Sequence, residues 1–171
     1  MLHAKLIGSR VVVEDEREYE ALRKRGLGGR KTDVVSPLEA LYLVLKKELV
    51  VTKNNHKLSF AALFAVLKKT DRELSRRWMA YRDLRGKGYL PKSGFKFGCD
   101  FNVYPKGAVP QDPAAHGKFL VKVIRPNLKV SVQDMALRVR LSQNVKKSLY
   151  FAAVDEKKES VDYIRIKFIL P

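Results

Sequence analysis

Three side chains that move protons or hold charge stand where the sequence changes character. Tyr104 closes the alternating stretch "CDFNVY", His116 ends a proline-rich loop ahead of "KFLVKVI", and Lys147 separates a basic helical segment from the apolar run "SLYFAAVD". A phenol, an imidazole and an ammonium are groups suited to acid–base work and to neutralising negative charge. Each also has an ordinary explanation. Tyrosines at strand ends commonly pack half-buried, a lone histidine is usually a surface loop residue, and a lysine in a last helical turn favours the helix dipole by roughly 0.3–1 kcal/mol.

What is missing narrows the chemistry. A metal-dependent nuclease of the restriction-enzyme type wants an acid on one strand and an acid-x-lysine pair on the next. The strand after His116 contains no acid, and Asp100 alone would not hold such a metal. The chain has no phosphate-binding glycine loop, no HExxH and no nucleophilic serine or cysteine in a recognisable setting. An enzymatic reading must therefore act on RNA or DNA without a metal held by the protein, and no cofactor is expected.

The partner is suggested by charge. Among 171 residues, 35 Lys+Arg oppose 18 Asp+Glu, for a formal net charge of +17, while 46% of residues are hydrophobic. This describes a folded protein with a polyanionic partner better than a disordered basic tail. Basic residues are spread through every element instead of lining one amphipathic helix, which favours nucleic acid over a membrane surface. The single cysteine, Cys99, excludes an intrachain disulfide and a cysteine-built zinc site. No apolar run approaches the roughly 18–20 residues of a membrane span, and the first residues lack a secretory core. A soluble, cytoplasmic protein is expected.

The elements that must position the three groups follow from local signals. "EDEREYEALRKRG" runs from acids to bases and stops at Gly26, in the sense that suits a helix dipole. "SPLEALYLVLKK" begins with Ser36, Pro37 and Glu39, a capping box, and "LSFAALFAVLKK" starts a further helix near Ser59. "TDRELSRRWMAYRDLRGKG" places Leu74, Trp78, Tyr81 and Arg85 on one side, with Asp71 as its cap. The text then turns strand-rich, so the reading is a small mixed N-terminal α/β domain, residues 1–70, and a second domain, residues 71–171, with a central mixed sheet flanked by helices.

In that second domain "YLPKSGFKFG" reads as a turn-containing stretch, and period two in "CDFNVY" sends Tyr104 to the polar side with Asp100 and Asn102. "SVQDMALRVRLSQNVKK" opens with Ser131 and Asp134 as a box-like start. Val132, Met135, Ala136 and Val139 form its apolar stripe, continued by Leu141 and Val145. In "VDYIRIKFIL", Ile164, Ile166, Phe168 and Leu170 share one face, and Tyr163, Arg165 and Lys167 the other. Such a terminal strand needs cover from the core or from another chain.

Taken in order, "YRDLRGKGYLPKSGFKFGCDFNVY", "HGKFLVKVI" and "RLSQNVKKSLYFAAVD" resemble the catalytic domain of archaeal tRNA-splicing endonucleases, also called tRNA-intron endonucleases. The resemblance covers residues 78–171, and more weakly the first domain through "SPLEALYLVLKK". It implies a catalytic set of Tyr104, His116 and Lys147. Lys147 is chosen over Lys146 because it directly precedes Ser148 and Leu149. It further implies that Arg140, two helical turns upstream, clasps a bulged base. Two departures are Gly117, where many relatives carry serine, and the helix text "RLSQNV" in place of "RVAHSV".

The implied reaction needs no metal, because RNA supplies its own 2'-hydroxyl nucleophile. On this reading Tyr104 takes the hydroxyl proton, His116 protonates the departing 5'-oxygen, and Lys147 stabilises the charge on the pentacoordinate phosphorus. The products are a 2',3'-cyclic phosphate and a 5'-hydroxyl. A phenol with a reference pKa near 10 is a poor base at neutral pH, so neighbouring cations such as Lys147 must favour its phenolate.

The implied substrate is precursor tRNA with two bulges flanking a short helix, with Lys118, Lys122, Arg138, Arg140 and Lys146 as candidates for the salt-sensitive part of binding. Relatives assemble as dimers or tetramers through the last strand, with an acidic loop entering a basic cleft. The nearly charge-balanced turn "DEKKES" makes a poor acidic plug, which favours a separate acidic structural subunit over a homotetramer. A non-catalytic RNA-binding or structural subunit of the same architecture is the alternative.

Overall fold

Alternation builds the first strand. In β1 (Leu2–Ile7) Ala4 and Leu6 turn inward, and a two-residue turn that begins at Gly8, in the left-handed region at φ 62°, folds it back onto β2 (Arg10–Val12). In the computed structural model, which describes residues 1–29, 33–110, 112 and 115–167, the chain divides into two units. Met1–Leu74 forms the body of the first, and Ser75–Pro110 with Ala114–Pro171 form the second.

The first unit continues with α1 (Glu16–Lys24), β3 (Val34–Val35), α2 (Pro37–Leu45), β4 (Leu49–Lys53), β5 (His56–Lys57) and α3 (Phe60–Thr70). Its described strands form one mixed sheet in the order β3-β2-β1-β4-β5, with β1 and β4 parallel. The capping box at α2 forms as expected: the Glu39 backbone N–H donates to Ser36 Oγ at 3.3 Å, and the Ser36 N–H donates to the Glu39 carboxylate at 3.0 Å. Glu39 is buried and also accepts from the Gly28 N–H at 3.4 Å, so the cap ties the helix to the turn after α1. Asp15 and Ser59 cap α1 and α3. Leu22, Leu41, Leu43, Val51, Leu63 and Leu67 fill the interior.

The second unit runs α4 (Leu74–Gly86), β6 (Leu90–Ser93), a 3₁₀ turn at Phe95–Phe97, β7 (Phe101–Tyr104), β8 (Phe119–Ile124), α5 (Val132–Asn144), β9 (Ser148–Asp155) and β10 (Ser160–Ile166). The described strands lie in the order β10-β9-β8-β7-β6. All neighbours are antiparallel except β8 and β9, which run parallel across the α5 crossover. Both units are thus mixed α/β.

Register assigns the faces. The row Asn102, Leu120, Leu149, Ile166 crosses four strands. Leu120 and Leu149 pack with Cys99, Phe151 and Val139 of α5, joined by Ile166, so this row faces α5. The adjacent row Phe101, Val121, Tyr150, Arg165 faces the other way, where the Phe101 ring meets Tyr81 of α4 at 6.1 Å. Burying side chains such as Leu120 and Leu149 contributes roughly 1.5–3 kcal/mol each.

Several expectations are corrected. "YLPKSGFKFG" contains a strand, β6, because Leu90–Ser93 completes the sheet beside β7. Asp71 serves two helices: it is the C-cap of α3, and its carboxylate accepts from the Glu73 N–H at 3.0 Å, a capping contact at the entry to α4. On α5, Val132 and Leu141 are exposed: Val132 lies in the first turn, Leu141 points away from Val139, and only Met135, Val139 and Val145 reach the core cluster. Tyr163 is half-buried on the face read as polar, where its hydroxyl donates to Asp83 of α4 at 2.8 Å. Phe168 and Leu170 lie outside the described residues.

Candidate active site

Because β7 is antiparallel to β8 and β8 is parallel to β9, the end of β7 and the starts of β8 and β9 fall at one end of the sheet. The register makes this concrete: Val103 stands opposite Phe119, and Phe119 opposite Ser148. Tyr104 is one residue beyond that line, His116 three residues before it, and Lys147 one residue before it. Neighbouring strands lie about 4.8 Å apart, so three positions distant in the chain reach one rim.

The end of α5 separates the two adjacent lysines. The Lys146 N–H donates to Gln143 O at 2.9 Å and the Lys147 N–H to Ser142 O at 2.9 Å, while Lys146 takes a left-handed conformation at φ 53°. This is a Schellman ending with lysine where glycine is usual. Lys146 is left exposed, whereas Lys147 is partly buried and its ammonium donates to the Gly117 carbonyl. Burial, with Lys96 as a second cause, holds the Lys147 pKa below the ordinary lysine value. Both ammonium groups approach the Phe97 ring, Lys96 at 4.8 Å and Lys147 at 6.0 Å from its centroid.

Gly117 joins the three candidates. It follows His116, its carbonyl receives Lys147, and its Cα lies against the Asn102 side chain: a Cβ at 117 would stand 2.0 Å from Asn102 Oδ1. Asn102 in turn donates from Nδ2 to the Tyr104 hydroxyl at 3.2 Å. The Lys118 N–H donates to Val103 O at 2.7 Å, docking the segment that carries His116 onto β7. Tyr104 and Asn102 are buried and His116 is exposed.

Of the residues expected to meet substrate, Arg140, Lys118 and Lys146 are all exposed. Lys146 also lines a cavity of about 340 Å³ with Ser142, Lys147, Leu149, Arg165 and Lys167; Arg140 is not among its lining. Lys122 and Arg138 are committed elsewhere. Lys122 pairs with Asp100 at 3.0 Å, and Arg138 donates to Gly98 O at 2.7 Å. Reading the sequence missed Lys96 and the part of Asn102; period two had set Asn102 beside Tyr104, which was the available signal. Among the described residues, no group of three or more His, Cys, Asp and Glu is placed to hold a metal ion. No helix of the described residues is long and apolar enough to cross a membrane.

Comparison with known proteins agrees with this architecture. Residues 74–163 match the family described as tRNA intron endonuclease, catalytic C-terminal domain, and residues 2–64 match tRNA intron endonuclease, N-terminal domain. The chain is 33% identical over 168 residues to a tRNA-splicing endonuclease of Thermococcus onnurineus, covering 96% of this chain and 95% of that one. It is 36% identical to one of Pyrococcus furiosus, covering 92% and 91%. It is 34% identical to one of Methanococcus maripaludis, covering 94% and 90%. An N-terminal match, a catalytic-domain match and relatives that align along nearly the whole chain leave one conclusion: this protein belongs to the tRNA intron endonuclease family and carries that family's catalytic domain.

Proposed function

We propose that the protein cleaves intron-containing precursor tRNA at bulge-helix-bulge splice sites, with Tyr104, His116 and Lys147 as catalytic residues and no metal held by the protein. The observation that carries this reading is the register line Val103–Phe119–Ser148, around which the three residues lie. Tyr104 accepts the proton of the nucleotide's 2'-hydroxyl, whose oxygen attacks the adjacent phosphorus. His116 gives a proton to the leaving 5'-oxygen. Lys147 holds the negative charge that builds on the phosphoryl oxygens. Its depressed pKa reflects a partly dehydrated ammonium, which is more effective against developing charge than a fully hydrated one.

Arg140, Lys118 and Lys146 supply exposed positive charge for the RNA backbone, so their share of affinity is salt-dependent. The strand β10 closes one side of the described sheet, with Ile164 51% exposed. That edge supports pairing with a second subunit, either a copy of this chain or an acidic structural partner. The test is incubation with intron-containing precursor tRNA in EDTA, with and without an acidic partner subunit. Products ending in 2',3'-cyclic phosphate and 5'-hydroxyl support the reading. Binding without cleavage, with or without the partner, makes the chain a non-catalytic subunit. Cleavage lost in EDTA, or cleavage of a substrate lacking the 2'-hydroxyl, removes the mechanism.

A further inference from the structure

We infer that Asn102 is a positioning residue for Tyr104 and that the glycine at 117 is what leaves room for it; the inference rests on the reading of Tyr104 as the proton acceptor. Asn102 is 5% exposed and sits in the sheet row that faces α5, next to Leu120 in register. A buried amide costs stability unless its polar atoms are paired. Here Nδ2 donates to the Tyr104 hydroxyl oxygen at 3.2 Å, while Oδ1 is buried and has no hydrogen-bond partner among the described residues. Among the described residues, the bond this amide makes therefore ends on the tyrosine.

Gly117 determines where that amide can be. A Cβ there would lie 2.0 Å from Oδ1, 2.6 Å from Cγ and 2.8 Å from Nδ2, so the whole carboxamide occupies the space a side chain at 117 would need. The amide is wedged between the Tyr104 hydroxyl and the backbone that carries His116 and receives Lys147. A phenol hydroxyl turns freely about its C–O bond. A fixed donor on one side of the oxygen leaves a defined lone pair for the incoming proton, and it favours the oxygen when that oxygen carries negative charge. Asn102 thus acts through Tyr104 and need not touch RNA.

The experiment uses the full-length chain and precursor tRNA, with Y104F as reference. N102L keeps the side chain's branching and heavy-atom count and removes the donor. It should lower kcat about tenfold or more, a part of the roughly 10²–10⁴-fold that a positioned acid or base supplies. KM should change little, and the rising limb of the kcat–pH profile should move to higher pH. N102D, which sets a carboxylate against the phenol oxygen, should move that limb further. G117A should lower both rate and melting temperature. In N102A/G117A the melting temperature should recover, because the atoms that the new Cβ meets are gone, while the rate stays low. N102L cleaving at the parent rate with an unmoved limb, while Y104F is inactive, overturns the role of Asn102. G117A with parent rate and parent melting temperature overturns the role of Gly117. If Y104F itself cleaves normally, it is the assignment of Tyr104 that falls.

Discussion

The Lys147 ammonium donates to the carbonyl oxygen of Gly117, thirty residues earlier in the chain. One contact ties the α5–β9 junction to the backbone beside His116, and it does so with the group proposed to face the phosphorus.

Replacing Lys147 should separate catalysis from stability. K147M should reduce cleavage by about 10²–10³-fold, the loss typical of a removed charge stabiliser. The folded-state pKa of Lys147 lies below the ordinary 10.5, through burial and then Lys96. The folded protein therefore disfavours the proton more than the unfolded chain does. This penalty is complete below the folded pKa and fades as pH rises toward 10.5. K147M should accordingly melt no lower than the parent at neutral pH, with any advantage shrinking in alkaline buffer. Cleavage by the parent protein should decline at a pH below that of a free lysine.

Lys146 should behave in the opposite way. A non-glycine residue in the left-handed region costs on the order of 1–2 kcal/mol, so K146G should raise stability by about 1 kcal/mol in urea unfolding. If Lys146 also attracts RNA phosphate, the same variant should bind precursor tRNA more weakly at low salt, with the salt slope reduced by about one. R140A and K118A test the other two exposed cations in the same titration.

Tyr163 links β10 to α4 through Asp83, and Lys87 lies over its ring at 5.0 Å. Burial first, then the Asp83 carboxylate, pushes the Tyr163 pKa well above its ordinary 10.0. A raised pKa means that its contribution is complete below pH 10 and is lost as pH rises through the folded value. Y163F should cost about 1–3 kcal/mol at pH 7 through the lost bond to a charged acceptor. Its deficit relative to the parent should narrow only in strongly alkaline solution, followed by denaturant unfolding.

At the head of α2, S36A removes the hydroxyl that receives the Glu39 N–H and should destabilise the first unit by about 1 kcal/mol. E39A should cost more, because the buried carboxylate also serves the Ser36 and Gly28 backbone.

Local chemistry made the helices legible. Ser36, Ser59 and Ser131 cap where their residue types and spacing say they should, because a cap is decided within four residues. Period two placed Asn102 and Tyr104 on one face of a strand, and the structure joins them by a hydrogen bond. What could not be read is what depends on partners far along the chain. Nothing near Leu90–Ser93 announces a strand, since its ladder is completed by β7. Helical periodicity alone could not tell that Leu141 has no surface to meet, and nothing in "RVRLSQN" shows that Ser142 would be buried in its place. Nor does the sequence around Lys122 say that it is held by Asp100.

That last pair carries a consequence for the whole rim. Apart from Lys122, the strand "FLVKVI" is apolar on both faces, so hydrophobic burial alone specifies its register weakly. Asp100 fixes it: its N–H donates to Val121 O at 3.0 Å, its carboxylate accepts from the Val123 N–H at 2.8 Å, and the same oxygen pairs with Lys122. A carboxylate remote from any bond-breaking step is the latch that keeps the histidine's strand aligned with its neighbours. Losing it would leave a well-filled interior around a rim shifted out of step.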